Sequence, residues 1–200
     1  MQTGNPVMEL SDEDLLARYI KGDVAAFSEL VGRHRKSLYG FIFRMVGTAH
    51  DADEVFQDVW VRVIRKSADY KTGRFRGWVF RIAHNLVIDR VRGRKPVVSL
   101  DARAGGEDGA SLADTLPDKS RSPADILNRR DVVDRVRKAL GNIAVEQKEV
   151  FLMRTEAGMS FKEIAIVQKV SINTALARMH YAVGNLRKLL ADIEIDGGVS

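Results

Sequence analysis

The sequence contains no cysteine and only four prolines in 200 residues. Without cysteine, the chain has no disulfide framework, no thiolate metal site and no cysteine nucleophile. No stretch approaches about 18 consecutive uncharged apolar residues, so we expect no helix that spans a membrane. The N-terminal residues lack a basic segment followed by an apolar run, so we expect no signal peptide and a cytoplasmic location.

No pattern typical of an enzyme or a metal protein is present. The histidines never form a close pair on one helix face, as zinc sites require; they are His34, His50, His84 and His180. There is no glycine-rich phosphate loop after a strand, and no serine elbow between glycines. Asp51 and Asp53 resemble a pair of cation ligands, but acids at the start of a helix explain them better. We therefore expect no catalytic residue, no metal and no cofactor.

The positions of the few prolines, together with the helical period, divide the chain into three segments. Between Pro6 and Pro96 there is no proline, and apolar residues recur with a helical period of about 3.6 residues. Residues 96–122 are rich in glycine, serine, aspartate and proline without any period, which is typical of a flexible acidic linker. Helical periodicity then returns. We predict an all-α fold in which two small helical domains, residues 10–95 and 123–192, are joined by this linker.

Short polar segments predict where the helices of the first domain begin. Ser11 is followed by three acids, which suit the positive end of a helix dipole and open the first helix. A second helix continues the apolar period until residues 47–50 interrupt it. Asp51 is then placed to cap a third helix, whose apolar line is Val55, Val59 and Val63.

The third segment contains two helices joined by a tight turn. Ser160 and Glu163 form a capping box that begins the first of them. Residues 168–170 form the turn, and Ser171 caps a long final helix. Ile172, Ala175, Met179, Val183, Leu186 and Leu190 are predicted to face inward, and Asn173, Thr174, Ala177, Arg178 and Tyr181 to face outward. This pattern is typical of a helix-turn-helix, whose second helix enters the DNA major groove, although an ordinary helical bundle has the same spacing.

Charge is distributed unevenly along the first half of the chain. Residues 9–58 carry ten acids and six bases, whereas residues 61–95 carry eleven bases and two acids. The resulting net charge of +9 (eleven minus two) over 35 residues is the electrostatic signature of a polyanion-binding site. A solvated basic face without any partner has the same composition.

The segment from Tyr70 to Arg92 combines these bases with aromatic and apolar residues. A helix from about Arg76 buries one broad apolar face and exposes a narrow line of polar residues. This line, the polar strip, consists of Arg81, His84, Asn85, Asp89 and Arg92. The preceding loop, residues 70–77, is basic and contains two aromatic residues and two glycines. Cations for phosphates beside aromatic rings for unpaired bases indicate a single-stranded nucleic acid, although Tyr70 and Phe75 could instead belong to the core.

Three segments, in this order, resemble the extracytoplasmic-function (ECF) group of sigma-70 transcription initiation factors. They are DADEVFQDVWVRVIR at residues 51–65, FRGWVFRIAHNLVIDRVR at residues 75–92 and VEQKEVFLMRTEAGMSFKEIA at residues 145–165. Their spacing and the acidic linker also match, and the resemblance covers residues 15–190. It implies a subunit that directs RNA polymerase to promoters and performs no chemistry itself.

The resemblance implies a partner for each segment. The first helix would dock on core RNA polymerase through an acidic surface that repels DNA, formed by Asp51, Glu54, Gln57 and Asp58. The polar strip and the loop before it would hold the melted non-template strand of the −10 element, where Asn85 and the loop receive a flipped base. The residues implied there are Tyr70, Lys71, Arg74, Phe75, Arg76, Arg81, His84, Asn85 and Arg92. The helix-turn-helix would read the −35 element as duplex DNA through Ser171, Asn173, Thr174, Ala177, Arg178 and Tyr181.

One stretch departs from the family pattern. At the start of the recognition helix the family usually has Gly-Thr-Val-Lys-Ser-Arg, whereas residues 173–178 of this chain read NTALAR, with Leu176 in place of the lysine. Slightly later, two usual arginines are replaced by Tyr181 and Val183. The loss of three cations weakens the sequence-independent attraction to phosphates. We expect an altered or weaker −35 contact, with Ala177 available for apolar contact with thymine methyl groups.

Two other functions fit parts of the sequence. A helix-turn-helix regulator that binds duplex DNA without polymerase explains the third segment but gives no reason for the acidic helix at residues 51–65. An RNA-binding adaptor would use residues 70–95 and leave the C-terminal domain idle. The ECF resemblance also implies an anti-sigma factor as a partner and no insertion into a membrane.

Overall fold

The structure is a computed structural model, and it describes residues 10–70, 73–93 and 123–191, the side chains of residues 123–130 excepted. Within these ranges the regular secondary structure is entirely helical. The helices are α1 (Asp12–Ile20), α2 (Val24–Val46), α3 (Ala49–Lys66), α4 (Phe75–Gly93), α5 (Pro123–Gly141), α6 (Val145–Thr155), α7 (Phe161–Gln168) and α8 (Ile172–Leu189), with one 3-10 turn at Ser67–Asp69. The predicted all-α fold is confirmed.

Short polar residues begin the first two helices. The Ser11 side chain accepts a hydrogen bond from the backbone N–H of Asp14, and the Asp14 carboxylate accepts one from the backbone of Ser11, so α1 begins with a capping box. The side chain of Asp23 caps α2 in a similar way. The helix α2 ends at Gly47, whose φ of 88° lies in the left-handed region that favours glycine.

The start of α3 differs from the prediction, because Thr48 and not Asp51 is the cap. The Thr48 hydroxyl oxygen accepts the backbone N–H of Asp51 at 3.2 Å. Thr48 has the extended backbone conformation that an N-cap requires, with φ of −124° and ψ of 148°. Asp51 therefore lies inside the first turn, where its carboxylate accepts a hydrogen bond from the Thr48 hydroxyl.

The helices α1 to α4 pack around one apolar core. The helix α2 is central, since it contacts α1, α3 and α4. Phe41 of α2 lies against Phe80 of α4 with ring centroids 5.5 Å apart, and both side chains are fully buried. Phe27 meets the edge of Trp60 in α3 at 5.6 Å. Because burial of one such ring contributes about 1.5–3 kcal/mol, these contacts hold α3 and α4 against α2.

The helices α6, α7 and α8 form a helix-turn-helix unit, in which α6 and α7 both pack against α8. Ser160 and Glu163 form the predicted capping box at the start of α7. The helix ends at Lys169, whose φ of 56° is unusual for a residue other than glycine. Ser171 then caps α8, as predicted, by accepting the backbone N–H of Thr174 at 3.0 Å.

The two helical units pack against each other. The helix α4 contacts α7, and α2 contacts α6; we call this contact the domain interface. The predicted linker, residues 96–122, lies outside the described residues, and the limits given above for the two domains remain predictions. No helix in the described part of the chain is long and apolar enough to cross a bilayer.

Candidate nucleic-acid and polymerase interfaces

The start of α4 is held by a residue of α1. The Glu13 carboxylate accepts the backbone N–H of Phe75 at 2.8 Å, although 62 residues separate them in the sequence. This contact satisfies one of the N–H groups that a helix leaves without an intrahelical partner in its first turn. The Phe75 ring lies 5.5 Å from the ring of His34 in α2. The position at which the preceding loop enters α4 is therefore fixed by α1 and α2.

Tyr70 closes the loop from the other side. Its ring packs against Trp78 at a centroid distance of 5.0 Å, and its hydroxyl donates a hydrogen bond to the Gly73 carbonyl. Gly73 has a φ of 119°, which residues with side chains rarely adopt. Burial raises the pKa of Tyr70, and the negative charges of Glu13 and Asp12 raise it further. The hydroxyl therefore stays protonated at neutral pH and remains a donor.

These contacts change the predicted role of one aromatic residue in the loop. The resemblance implies Phe75 at the nucleic-acid surface, but its side chain is 0% exposed and belongs to the core, the alternative that the sequence left open. A base cannot stack on a ring that has no accessible face. Tyr70 is half-buried, so part of its ring is accessible. Lys71, which the resemblance also implies, lies outside the described residues.

The polar strip of α4 has an exposed part and a covered part. Asn85, Asp89 and Arg92 are exposed, as the helical spacing predicts. Arg81 and His84 are half-buried because the helix-turn-helix unit lies against them. Asn85, which the resemblance implies at a flipped base, is thus the first exposed position after the covered pair.

Arginines of α4 and its preceding loop donate to acceptors on the helix-turn-helix unit. Arg76 donates to the Ala157 carbonyl at 3.0 Å. Arg81 donates to the Ile166 carbonyl at 3.2 Å. Arg74 pairs with the carboxylate of Glu163 at 3.3 Å. Three of the arginines predicted for phosphates, Arg74, Arg76 and Arg81, are therefore engaged by the other half of the chain in this structure.

At the centre of the domain interface, His84 contacts Glu149 of α6. The His84 Nδ1 and one carboxylate oxygen are within hydrogen-bond distance, and Glu149 is only 1% exposed. The other oxygen accepts the Gln168 amide N–H at 2.6 Å, and Gln168 accepts from Arg178 of α8 at 2.9 Å. A buried carboxylate is costly unless its oxygens are hydrogen-bonded, and both are satisfied here. One chain of polar contacts therefore runs from α4 through α6 and α7 to α8.

Two ionisable groups at the domain interface have displaced pKa values. Burial lowers the pKa of Lys148, whose ammonium donates to a backbone carbonyl of α2 at 3.5 Å. Burial raises the pKa of Glu163, but hydrogen bonds from Ser160 and the charges of Arg76 and Arg74 outweigh it, so the net shift is downward. Glu163 is therefore ionised at neutral pH and attracts both arginines.

The acidic helix that the resemblance implies for polymerase docking is α3. Gln57 and Asp58 are exposed. Asp51 is 7% exposed and accepts a hydrogen bond from the Arg90 guanidinium of α4 at 3.0 Å, so it ties α3 to α4. Glu54 is exposed but pairs with the same guanidinium. The expectation that Asp51 belongs to an exposed acidic surface is therefore wrong.

Two apolar residues that sequence reasoning missed extend this surface. Val61 and Ile64 are 41% and 43% exposed. Val61 follows Gln57 by four residues and Ile64 follows Val61 by three, so all three lie on one side of α3. The sequence could have indicated this exposure, because neither residue belongs to the buried apolar series Val55, Val59 and Val63. We call Gln57, Asp58, Val61 and Ile64 the α3 docking face.

The outward surface of α8 agrees with the prediction in part. The exposed residues among those predicted are Ser171, Asn173, Ala177 and Tyr181. Thr174 is half-buried, and its hydroxyl lies 2.8 Å from that of Ser171. Arg178 is also half-buried, because its guanidinium donates to Gln168. The one arginine predicted to contact the −35 element is thus directed toward the protein.

Between residues 172 and 181 of α8, three further residues are exposed that the sequence did not place on the outward surface. Ile172, which the helical period places inward, is 46% exposed, and Leu176 is 43% exposed. His180 is exposed as well, with its ring 5.9 Å from that of Tyr181. The prediction for Ile172 is wrong because this residue begins the helix, beyond the packed positions Ala175 and Leu186. We call the exposed set the reading face of α8: Ile172, Asn173, Leu176, Ala177, His180 and Tyr181.

The polar clusters of the described residues pair acids with bases. Asp12 contacts the His34 Nε2 at 2.7 Å, much as Glu149 contacts His84. Within the described ranges, no group of three or more histidine, aspartate and glutamate side chains could hold a metal ion. The described surfaces offer basic and amide groups on α4, a mixed acidic and apolar face on α3, and a mostly apolar face on α8.

Known proteins match this chain across both helical units. The family model for sigma-70 region 2 matches residues 30–97. The RNA polymerase sigma factor CarQ of Myxococcus xanthus is 32% identical over 182 residues, which cover 90% of this chain and 98% of CarQ. The chain belongs to the ECF group of sigma-70 factors. The ECF RNA polymerase sigma factor SigW of Bacillus subtilis is 26% identical over 187 residues, 93% of this chain and 100% of SigW.

Solved structures of two proteins resemble this ECF sigma factor. CnrH, in complex with the cytosolic domain of CnrY, has a TM-score of 0.67 and 28% identity, covering 91% of this chain and 99% of its own. The sigma factor RpoE of Bartonella quintana, in complex with the anti-sigma factor NepR, has a TM-score of 0.60. At 17% identity, over 86% of this chain and 98% of the other, that likeness shows the fold alone. None of these likenesses supports a regulator that works without polymerase.

Proposed function

We propose that this ECF sigma factor binds core RNA polymerase in the cytoplasm and directs it to promoters through contacts with the −10 and −35 elements. The observation that carries the proposal is the likeness to CarQ, which extends over 90% of the chain and therefore includes both helical units. The chain contributes binding and positioning. Phosphodiester formation belongs to the polymerase.

Core polymerase binds the α3 docking face. The combination of exposed Asp58 with exposed Val61 and Ile64 supports this assignment. Exposed apolar residues beside polar ones suit a protein partner, whose contact removes them from water. The carboxylate repels the phosphates of DNA, which keeps this side of the domain off the promoter.

The exposed part of the polar strip binds the melted −10 strand. The amide of Asn85 offers both a donor and an acceptor to the edge of an unpaired base. Arg92 lies about two helical turns after Asn85. It is exposed and available to a phosphate. The accessible part of Tyr70 offers a ring edge at the loop, while Phe75 supports the loop from within the core.

Full engagement of the −10 strand requires the two helical units to separate. Arg76, Arg81 and His84 are assigned to this strand, yet all three contact the helix-turn-helix unit. The N–H groups of Arg76 and Arg81 that donate to the Ala157 and Ile166 carbonyls cannot donate at the same time to a phosphate. Binding to polymerase and promoter supplies the free energy that shifts the population to the separated state.

An anti-sigma factor is a further partner in this proposal. CnrH was solved in complex with the cytosolic domain of CnrY, and the sigma factor RpoE in complex with the anti-sigma factor NepR. Both have the fold of this chain. The exposed apolar residues of α3 offer such a protein a surface that competes with polymerase.

Run-off transcription tests the proposal directly. Purified bacterial core polymerase is incubated with fragmented genomic DNA of the host, with and without this protein. We expect new transcripts that depend on the protein, and their aligned start sites give both promoter elements. Absence of transcripts together with a protein-dependent shift of duplex DNA in the absence of polymerase would contradict the proposal.

A further inference from the structure

The reading face of α8 contains no cation. Its six residues are two branched aliphatic side chains, one alanine, one asparagine, one histidine and one tyrosine. Arg178, the only arginine in the first half of α8, donates to Gln168, which in turn donates to the buried Glu149. The polar contacts of α6 and α7 therefore keep this guanidinium beside the protein. Between Ile172 and Tyr181, α8 therefore presents no lysine or arginine outward; its exposed cations, Arg187 and Lys188, lie in the last turn.

The six residues form an ordered pattern on the helix. At about 100° per residue, Asn173 and His180 lie along the middle of the exposed side. Ile172 and Leu176 lie on one flank of this line, and Ala177 and Tyr181 lie on the other. Ile172 and Leu176 are 46% and 43% exposed, a large fraction for branched aliphatic side chains. A polar line bordered by apolar side chains is therefore available over two turns.

Two exposed lysines precede α8 within the helix-turn-helix and are not part of the reading face. Lys162 in the first turn of α7 and Lys169 in the turn before α8 are both exposed. Exposed lysines in the same helix-turn-helix suit contacts with phosphates, while a face without lysine or arginine suits base edges. This arrangement, on the second helix of a helix-turn-helix, favours duplex DNA over a protein as the occupant.

We infer that Ile172 and Leu176 recognise the 5-methyl groups of thymine in the −35 element. The inference rests on the proposed function and names the chemistry by which the helix-turn-helix unit selects its site. In the major groove, thymine alone offers a methyl group, and an aliphatic side chain gains free energy by removing it from water. The same side chain against guanine or cytosine covers a polar group without replacing its hydrogen bond with water, which is unfavourable.

Asn173 extends the pattern to a complete base pair. Its exposed amide can pair with the two major-groove groups of adenine, N6 and N7. Adenine on one strand places a thymine methyl on the other. The reading face is therefore complementary to a run of A·T pairs, and most of its selectivity comes from apolar contact, which salt weakens little.

The test replaces thymine by deoxyuridine, which pairs identically but lacks the methyl group. Promoters mapped by run-off transcription are synthesised with uracil at each −35 thymine in turn, and open complexes with core polymerase are titrated. We expect the wild-type protein to lose about fourfold in promoter affinity for each contacted methyl, corresponding to about 0.8 kcal/mol. Uracil in the spacer should have no effect.

The second part of the test uses the variant Leu176→Ala on the same thymine and uracil promoters. This variant should bind the thymine promoter about as weakly as the wild type binds the uracil promoter, and it should show no further loss on uracil. Such non-additivity identifies a direct contact. Leu189→Ala is the matched control, since Leu189 is an equally exposed leucine (46%) at the end of the same helix. It should retain the full uracil effect.

The outcomes separate the inference from the proposed function. Transcription that depends on a −35 element but is insensitive to every uracil substitution would overturn the methyl contact and leave the sigma factor function standing. The same holds if the mapped −35 elements lack thymine, or if Leu176→Ala weakens only the binding of a protein partner. Absence of any protein-dependent transcript would contradict both the methyl contact and the proposed sigma factor function.

Discussion

The imidazole of His84 in α4 contacts the buried carboxylate of Glu149 in α6, and this pair lies where the two helical units meet. His84 is one of the residues that the sequence assigns to the −10 strand. Glu149 is linked through Gln168 to Arg178 of α8. In this arrangement the exposed reading face of α8 is accessible, whereas Arg76, Arg81 and His84 of α4 contact the other unit. The two proposed DNA-binding surfaces are therefore not equally available.

Glu149→Ala should open the domain interface. The change leaves His84 without its carboxylate and removes the group that organises Gln168. Because the sequence contains no cysteine, Ala17→Cys and Lys188→Cys allow a single dye pair to be attached, one dye on each unit. We expect lower energy transfer in the variant and tighter binding of a single-stranded −10 oligonucleotide, since the covered donors of α4 become available.

Glu146→Ala is the control for this experiment, because Glu146 is an exposed glutamate on the same helix. It should leave both energy transfer and oligonucleotide binding unchanged. A gain in binding cannot arise from unfolding, which makes the oligonucleotide assay the decisive one. Lower energy transfer without any gain in binding would contradict the view that closure competes with the −10 strand.

Asn85→Ala should impair recognition of the −10 element and leave polymerase binding intact. The side chain is exposed on α4, so its removal does not disturb the core. Loss of an amide that reads a base edge costs about 1–3 kcal/mol of discrimination. The measurement is promoter selectivity in open complexes, with Asn142→Ala in the other unit as an amide-removal control. Unchanged promoter choice would argue against a base contact at this position.

Asp58→Lys should weaken binding to core polymerase without unfolding the protein. Reversal of an exposed charge at a complementary interface lowers the association rate and the affinity. Val61→Ser should weaken binding by a different route, through the lost apolar contact. Competition against a labelled sigma factor for core enzyme measures both.

Asp131→Lys matches the charge change on an exposed acid of α5 and should compete at wild-type strength. If Asp58→Lys competes equally well, the docking face has been assigned to the wrong side of α3. A helical circular dichroism spectrum identical to the wild type is required of every variant.

Glu13→Ala should loosen the start of α4. The variant loses the acceptor of the Phe75 N–H, a contact of the capping type that typically contributes about 1 kcal/mol. We expect a lower midpoint of urea unfolding and reduced melting of the −10 element. Glu13→Gln should restore much of both, since the amide oxygen also accepts a hydrogen bond. If alanine and glutamine behave alike, it is the charge of Glu13 that acts, through its effect on residues such as Tyr70.

Local chemistry made much of this fold predictable. The capping residues Ser11, Ser160 and Ser171 each act within three residues of sequence, so their roles could be read directly. Helical periodicity likewise predicted which side of α4 is buried. The choice between Thr48 and Asp51 as the cap of α3 could not be read, because both are good caps and the backbone conformation decides.

Contacts between distant residues were not predictable. Asp51 is buried because Arg90 neutralises it from another helix, and Phe75 is buried because α1 and α2 close over it. Glu149 resembles any other acid of an amphipathic helix until α4 brings His84 against it. The exposure of Ile172 depends on where the packed part of α8 begins, which periodicity does not specify.

The backbone acceptors at the domain interface have an evolutionary consequence. Arg76, Arg81 and Lys148 donate to the carbonyl oxygens of Ala157, Ile166 and Met45. Every residue type supplies the same carbonyl, so substitution of the acceptor residue leaves the hydrogen bond in place. Selection acting on this contact would therefore constrain the donor positions and leave the acceptor positions free to drift. Correlated substitutions between the two units would then be concentrated at side-chain pairs such as His84 with Glu149, Arg74 with Glu163 and Arg44 with Glu156.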